Sequence, residues 1–550
     1  MNQYLRYMFV VGMFFYFIAP MYAAASAFKP LQAVIVAAEA DAAKAGERML
    51  QQGGNAFDAA AAVALALGVV EPGSSGIGGG GFFLLYLAKE KRVIMLDARE
   101  TSPKLAGHGE IYDHYSSIDG AQSAGVPGLL AGIDHLVQHY GVLSRQAIST
   151  PAITLAKNGF IPNKRLLRML KWRNKAFNAE ARKIFLPQKG RVHQWVLART
   201  LTRYAKLGVD DFYRGETAKN LVADMRRDGG LIRADDLAAY QAIEREPITI
   251  NWHGYRIVSV NLPSSGGMVL AEVLGILKND DLSSMPALTQ KKLLIESMRR
   301  AYKDRNENLG DRDFVSIPDL LKDKYLEALR QSIDSNKATP SSSLGNQQEP
   351  AGAGRDTTHF SIIDQDGNMV VATLSINYPF GSAYVSPATG ILLNDEMDDF
   401  ATRPNQPNAY GLVQGKANAV APGKRMLSSM TPTLVFGSGR IFLLGTPGGS
   451  RIISMVLLAS MGFMLNDYSS EEWVQSPRYH HQFLPDVIQY EQGAFSDQER
   501  KTLTAQGYTF KKVRDYGNMQ AIVCDKETRS CHGISDHRGN GIVLQVPMGK

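Results

Sequence analysis

Thr357-Thr358-His359-Phe360-Ser361-Ile362-Ile363, then Asp364-Gln365-Asp366-Gly367-Asn368, then Met369-Val370-Val371-Ala372-Thr373-Leu374-Ser375-Ile376, is the stretch that decides the fold. β-Branched and aromatic residues fill both arms, and the middle holds the Asp, Gly and Asn that tight turns need, so the pattern predicts a β-hairpin. Directly upstream, over 335–356, Ser, Pro, Gly, Asn and Gln dominate and no hydrophobic period survives, which reads as an exposed loop. A polar loop that stops at a hydroxyl residue opening a buried hairpin has the form of an internal cleavage site. On composition alone an interdomain linker is the plainer account.

Moving outward, 38–49 and 56–69 are Ala-rich helix formers separated by the stop signal Gly53-Gly54. Pro72-Gly73-Ser74-Ser75-Gly76-Ile77-Gly78-Gly79-Gly80-Gly81 follows, and then an apolar strand over 82–87. So many glycines imply unusual dihedrals or a close backbone approach, because glycine otherwise costs chain entropy. No Gly-Lys-Ser/Thr follows, so the run is not a phosphate-binding P-loop. Helical signals prevail over about 126–329, and no internal repeat is visible. Alternating helix and strand signals argue for α/β or α+β layers rather than a helical bundle.

The chain has 550 residues, 45% hydrophobic and 21% charged, which is globular composition. Its formal charge of +7 is spread without runs of like charge, which argues against a nucleic-acid partner. Residues 1–27 differ from the rest, with Arg6, an apolar stretch over 8–19 and the small-residue exit Ala25-Ser26-Ala27. That pattern is expected of a cleaved secretory signal, and the apolar run is short of the roughly 20 residues a membrane span needs. The mature chain is therefore expected to be exported, periplasmic or secreted, with no stable membrane anchor. Cys524 and Cys531 flank a polar stretch suited to a hairpin turn, and in an exported protein they could close a small disulfide loop. Neither a Gly-x-Ser-x-Gly elbow nor a His-Glu-x-x-His helix occurs among the 11 histidines, and His480-His481 on a strand would point to opposite faces. No metal site and no cofactor is expected.

Over 33–538 the chain resembles the γ-glutamyltransferases (γ-glutamyltranspeptidases, glutathione hydrolases) of the N-terminal nucleophile hydrolase superfamily. The resemblance is carried by Gly53-Gly54-Asn55-Ala56-Phe57-Asp58-Ala59-Ala60, by 71–81, Leu96-Asp97-Ala98-Arg99-Glu100, Pro263-Ser264-Ser265-Gly266-Gly267, Thr357-Thr358-His359, 394–400, 424–433 and Gly448-Gly449-Ser450-Arg451. It implies an α+β fold, a four-layer αββα sandwich built from two interleaved fragments, 28–356 and 357–550, of one self-cutting precursor. The implied cut is Asp356-Thr357. By chemistry alone Thr358 is a rival nucleophile, and only the family pattern selects Thr357.

The resemblance further implies γ-glutamyl transfer from glutathione and related compounds, through an ester on Thr357, to water or to amino acid and dipeptide acceptors. The freed α-amine of Thr357, with an ordinary pKa near 8, would be the local base. Gly448 and Gly449 match the oxyanion hole, although a plain turn would also use them. Ser375 stands where many relatives have a threonine that bonds the nucleophile. Arg99, Ser428 and Ser429 match the groups that take the donor's α-carboxylate, while Asn377, Glu396 and Asp399 match those that hold its α-ammonium; some bacterial relatives carry glutamine in place of Glu396. Tyr410 resembles a lid tyrosine. Read without the family, Arg99 and Asp399 would pass as surface charges. Two rivals stand beside this reading: a sibling acylase acting on a glutaryl or cephalosporin side chain, and a degenerate binding protein that no longer matures.

Overall fold

The computed structural model describes residues 28–187, 190–345, 357–402, 413–465 and 470–547. The expected leader, Asp356 and Tyr410 lie outside the described residues. No helix among the described residues is long and apolar enough to cross a membrane.

The strands in chain order are β1 (Ala33–Ala37), β2 (Gly80–Leu87), β3 (Arg92–Asp97), β4 (Ile243–Arg245), β5 (Ile248–Trp252), β6 (Tyr255–Ser259), β7 (Thr358–Ile363), β8 (Met369–Ser375), β9 (Thr433–Phe436), β10 (Arg440–Leu444), β11 (Tyr479–His480), β12 (Ile488–Tyr490), β13 (Phe510–Lys512), β14 (Gln520–Asp525), β15 (Cys531–Ser535) and β16 (Ile542–Val546). One sheet runs β16-β1-β7-β8-β2-β3-β4, a second runs β15-β14-β10-β9-β6-β5, and a small third sheet joins β11, β12 and β13. The period of two sorts the first sheet's side chains cleanly. Val34, Val36, Phe82 and Leu84 pack with Leu434, Ile441 and Ala521 of the second sheet. Ala33, Ile35, Phe83 and Leu85 face the other way, onto helices Ala40–Gln51 and Ala56–Val70. Helices Gly266–Ile276 and Ile452–Leu465 contribute to the core of the second sheet, which completes the αββα sandwich.

The predicted hairpin is present as β7 and β8, in register from Thr358 opposite Leu374 to Ile363 opposite Met369. Asp364 organises its turn, accepting from the Asn368 N–H at 2.9 Å and the Asp366 N–H at 3.0 Å. Its second oxygen accepts from the Ala56 N–H at 2.9 Å, so the hairpin turn also anchors the start of helix Ala56–Val70. That helix begins with a capping box between Asn55 and Asp58 and is apolar all round, which is why it can lie buried against the sheet. Each large sheet takes strands from both sides of position 357, as the expected interleaving requires. Cys524 and Cys531 sit directly opposite on β14 and β15 and are bonded.

Close approach, not dihedral freedom, explains the glycine run, since none of its members has positive φ. A Cβ on Gly78 would stand 2.0 Å from the Leu392 carbonyl oxygen, and one on Gly79 would stand 2.2 Å from that of Ser375. Backbone cannot yield as a side-chain tip does. Gly79→Ala is therefore expected to destabilise the fold by about 1–3 kcal/mol in denaturant unfolding, whereas Gly439→Ala, which meets nothing within 4 Å, stays within about 0.5 kcal/mol. Equal effects at the two positions would refute this account.

Candidate active site

Extending the hairpin register by one pair sets Thr357 across from Ser375, at the end of the sheet where β2 begins with Gly80. Thr357 and Ser375 line one small cavity with Arg99, Asn377, Asp399 and Ser428. Ser429, Gly449 and Arg305 also reach it. Thr358 is not among its walls, and its hydroxyl is buried without a partner. Alternation along the strand makes this difference, because adjacent side chains leave opposite faces. His359 shares the face of Thr357 but is not among the cavity walls and packs between the sheets instead; burial pushes its imidazole down to about 3, and Nδ1 lies 2.8 Å from Thr373 Oγ1. A neutral, packed ring of this kind is no base for Thr357.

The chain turns sharply after Ser375. Asn377 is left-handed at φ 72°, its N–H donates to Ser375 Oγ at 2.8 Å, and its side-chain amide donates to the Asp395 carbonyl at 3.1 Å. Asn394 ties the next segment down, donating to the carbonyls of Gly78 and Gly125 at 2.7 and 2.9 Å. From this anchored loop Glu396 and Asp399 reach Arg99. The Arg99 guanidinium is 1% exposed and meets Glu396 Oε2 at 2.6 Å, Asp399 Oδ2 in a short contact and Glu100 Oε2 at 3.5 Å. Glu396 thus stands behind Arg99, outside the cavity lining, while Asp399 borders the cavity.

Three carboxyls around one guanidinium cannot all stay ionised away from water. Burial pushes Glu100 up to about 7 and raises Glu396 well above the carboxylate range. A folded-state pKa above the unfolded one means that the native state holds a proton the unfolded chain releases. Stability from that proton is complete below the ordinary carboxylate range and is lost as pH rises through the folded value. Glu396→Gln removes the titrating group and keeps the shape. The variant is expected to lose less thermal stability than the wild type between pH 5 and pH 8, and parallel melting curves against pH would count against the buried proton.

Arg305 is the site residue that sequence reading missed. It is 1% exposed, and its hydrogen bonds go to Ser265 Oγ at 2.9 Å, Asn306 Oδ1 at 3.1 Å and Ser429 Oγ at 3.1 Å. Burial brings its guanidinium down to about 10. Ser265 in turn grips the Ser428 carbonyl through its N–H at 2.9 Å and its hydroxyl at 2.7 Å. The Pro263-Ser264-Ser265 motif therefore serves to hold the Ser428-Ser429 segment. Arg425, also unassigned from sequence, donates to the Arg99 carbonyl at 2.6 Å and to Asp97 Oδ1 at 3.0 Å. Nothing in the local pattern marks either arginine, because charged residues in a polar helix or loop read as solvent-facing.

Gly448 (φ 147°) and Gly449 (φ 59°) adopt a conformation that disfavours side chains, and helix Ile452–Leu465 starts just after them. Neither N–H is bonded to an acceptor among the described residues. Two such N–H groups beside a helix N-terminus suit a developing negative charge. His480 and His481 are packed elsewhere, His480 between Ser454 Oγ and Gln482 Oε1 and His481 against Asp486.

Known proteins resemble this chain over most of its length. The family model described as Gamma-glutamyltranspeptidase matches residues 42–546. The glutathione hydrolase proenzyme of Escherichia coli is 38% identical over 527 residues, covering 92% of this chain and 90% of that protein. Among solved structures, the cephalosporin acylase of Bacillus halodurans superposes with a TM-score of 0.81 at 25% identity, covering 97% of this chain and 99% of that one. The γ-glutamyltranspeptidase of Helicobacter pylori matches at 34% identity and a TM-score of 0.53, over 57% of this chain and 96% of that one. Near full-length coverage at this identity, together with a sandwich of the N-terminal nucleophile hydrolase type, establishes that the chain belongs to the γ-glutamyltranspeptidase family.

Proposed function

We propose that Thr357 is the residue on which this chain first cuts itself and then carries out γ-glutamyl transfer. The observation that carries the assignment is that Thr357, not Thr358, borders the cavity shared with Arg99, Asp399 and Gly449. In maturation the Thr357 hydroxyl attacks the carbonyl of residue 356. The acyl group moves from nitrogen to oxygen, and the hydroxyl proton ends on the released nitrogen. Water then hydrolyses the ester, leaving a carboxylate on Asp356 and a free α-amine on Thr357. The fragments 28–356 and 357–550 stay together as a heterodimer because both sheets draw strands from each.

In turnover the α-amine takes the hydroxyl proton as Thr357 Oγ attacks the γ-carbonyl of glutathione or a related amide. The oxyanion is met by the N–H groups of Gly448 and Gly449; as it collapses the amine half leaves with the proton that the α-amine had taken, and a γ-glutamyl ester remains. Water or the amine of an amino acid or dipeptide resolves it. Arg99, Ser428 and Ser429 receive the α-carboxylate, with Arg305 steering the Ser429 hydroxyl. Asp399 and Asn377 meet the α-ammonium, and Glu396 acts through Arg99. Ser375 completes the surroundings of Thr357. The acylase fold is the same sandwich, but a glutaryl group has no ammonium for the Asp399 carboxylate at the cavity wall. The setting we propose is an exported one, periplasmic or secreted.

A denaturing gel with N-terminal sequencing tests the assignment. Wild-type protein is expected as two bands, one beginning Thr-Thr-His-Phe, that co-elute under native conditions; Thr357→Ala is expected as one uncut, inactive chain. A folded wild type that stays in one piece would overturn it, as would a cut before Thr358.

A further inference from the structure

A second hollow meets the Thr357 cavity at the glycine pair. Gly448 lines it, whereas Gly449 lines the cavity of Thr357, so a single peptide unit separates the two. They are linked again at Asn377-Tyr378: Asn377 borders the first, and the Tyr378 ring lies 5.3 Å from Trp172, which borders the second. The walls of the second hollow carry five guanidinium groups and one carboxylate, Asp515. Three of the five are engaged. Arg165 meets Glu71 at 2.8 Å, Arg538 meets Glu491 at 2.6 Å, and Arg451 lies 4.5 Å from the Tyr516 ring centre. Arg168 and Arg514 are exposed and form no ion pair among the described residues.

Geometry assigns this hollow a half of the substrate. With the γ-carbonyl held between Thr357 and the glycine N–H groups, the α-carbon end of the donor fills the cavity of Arg99 and Ser428. The amine on the far side of the carbonyl must then project across Gly448. In glutathione that amine belongs to a dipeptide ending in a carboxylate, as acceptor amino acids and peptides also do. We propose that the second hollow is the subsite for the leaving and accepting peptide, and that Arg168 and Arg514 bind its carboxylate. A guanidinium fork suits a carboxylate, and two without partners leave the hollow positive. The inference rests on the roles given above to Thr357 and Gly448-Gly449.

The test compares substrates that differ in that carboxylate. Arg168→Gln, Arg514→Gln and the double variant, all at exposed positions, are assayed with glutathione and with a γ-glutamyl anilide, whose leaving group has no carboxylate. Glycylglycine and glycylglycinamide serve as acceptors. The ratio of kcat/KM for glutathione to that for the anilide is expected to fall about fivefold per arginine lost, and KM for glycylglycine is expected to rise relative to its amide. Both differences should shrink at high salt in the wild type. An unchanged ratio, or equal losses on both donors, overturns the subsite while leaving γ-glutamyl transfer intact. A wild type that turns over neither donor defeats the γ-glutamyl reading, and the subsite with it.

Discussion

The antiparallel pairing of β7 with β8 is the constraint on which the reacting end of this molecule depends. Side chains alternate along a strand, so a slip of one residue would exchange Thr357 for Thr358 at the cavity. Several independent contacts hold the register: Asp364 in the turn, the pairing of Ile363 with Val34 on β1, and that of Ser375 with Gly80 on β2. The glycine run matters for the same reason. It lets Gly78 and Gly79 press against the backbone of Leu392 and Ser375 closely enough that the loop carrying Glu396 and Asp399 lies beside the end of the hairpin.

Around that strand end the protein buries charge, at a desolvation cost of several kcal/mol per ion. Arg99 offsets it with carboxyl partners, Arg305 with hydroxyls and an amide. The two arginines therefore differ in kind. Arg99 sits in a surplus of acid that retains protons; Arg305 is short of negative charge and organises Ser265 and Ser429. Cationic and anionic groups thus meet at one cavity, which suits the ligand proposed above, one that itself bears both signs.

Much of this was legible in the residues. The hairpin, the Ala-rich helices, the glycine run and the cysteine loop all follow from spacing and turn chemistry, and each appears where expected. The helix Ala287–Asn308 was not legible in the same way. Its Glu296, Arg299, Arg300, Asp304 and Arg305 look like a solvated face, yet all five are buried between layers. Arg99 and Asp399 would likewise pass as surface charges, and only resemblance to a family pointed inward. Glu396, too, reads as an exposed acid in the sequence, and it lies against the Arg99 guanidinium.

By itself the sequence determined the local grammar: where strands alternate, where turns break them, which helix is apolar all round, and which threonines open the hairpin. Those properties depend on neighbours a few residues apart. Only the tertiary structure decided which threonine faces the cavity, why the glycines are needed, and that Arg305 belongs to the site. The reason is physical. Burial and electrostatic pairing join segments remote in the chain, as Arg99 meets Asp399 across 300 residues, and no short-range pattern encodes which remote carboxylate a guanidinium will find.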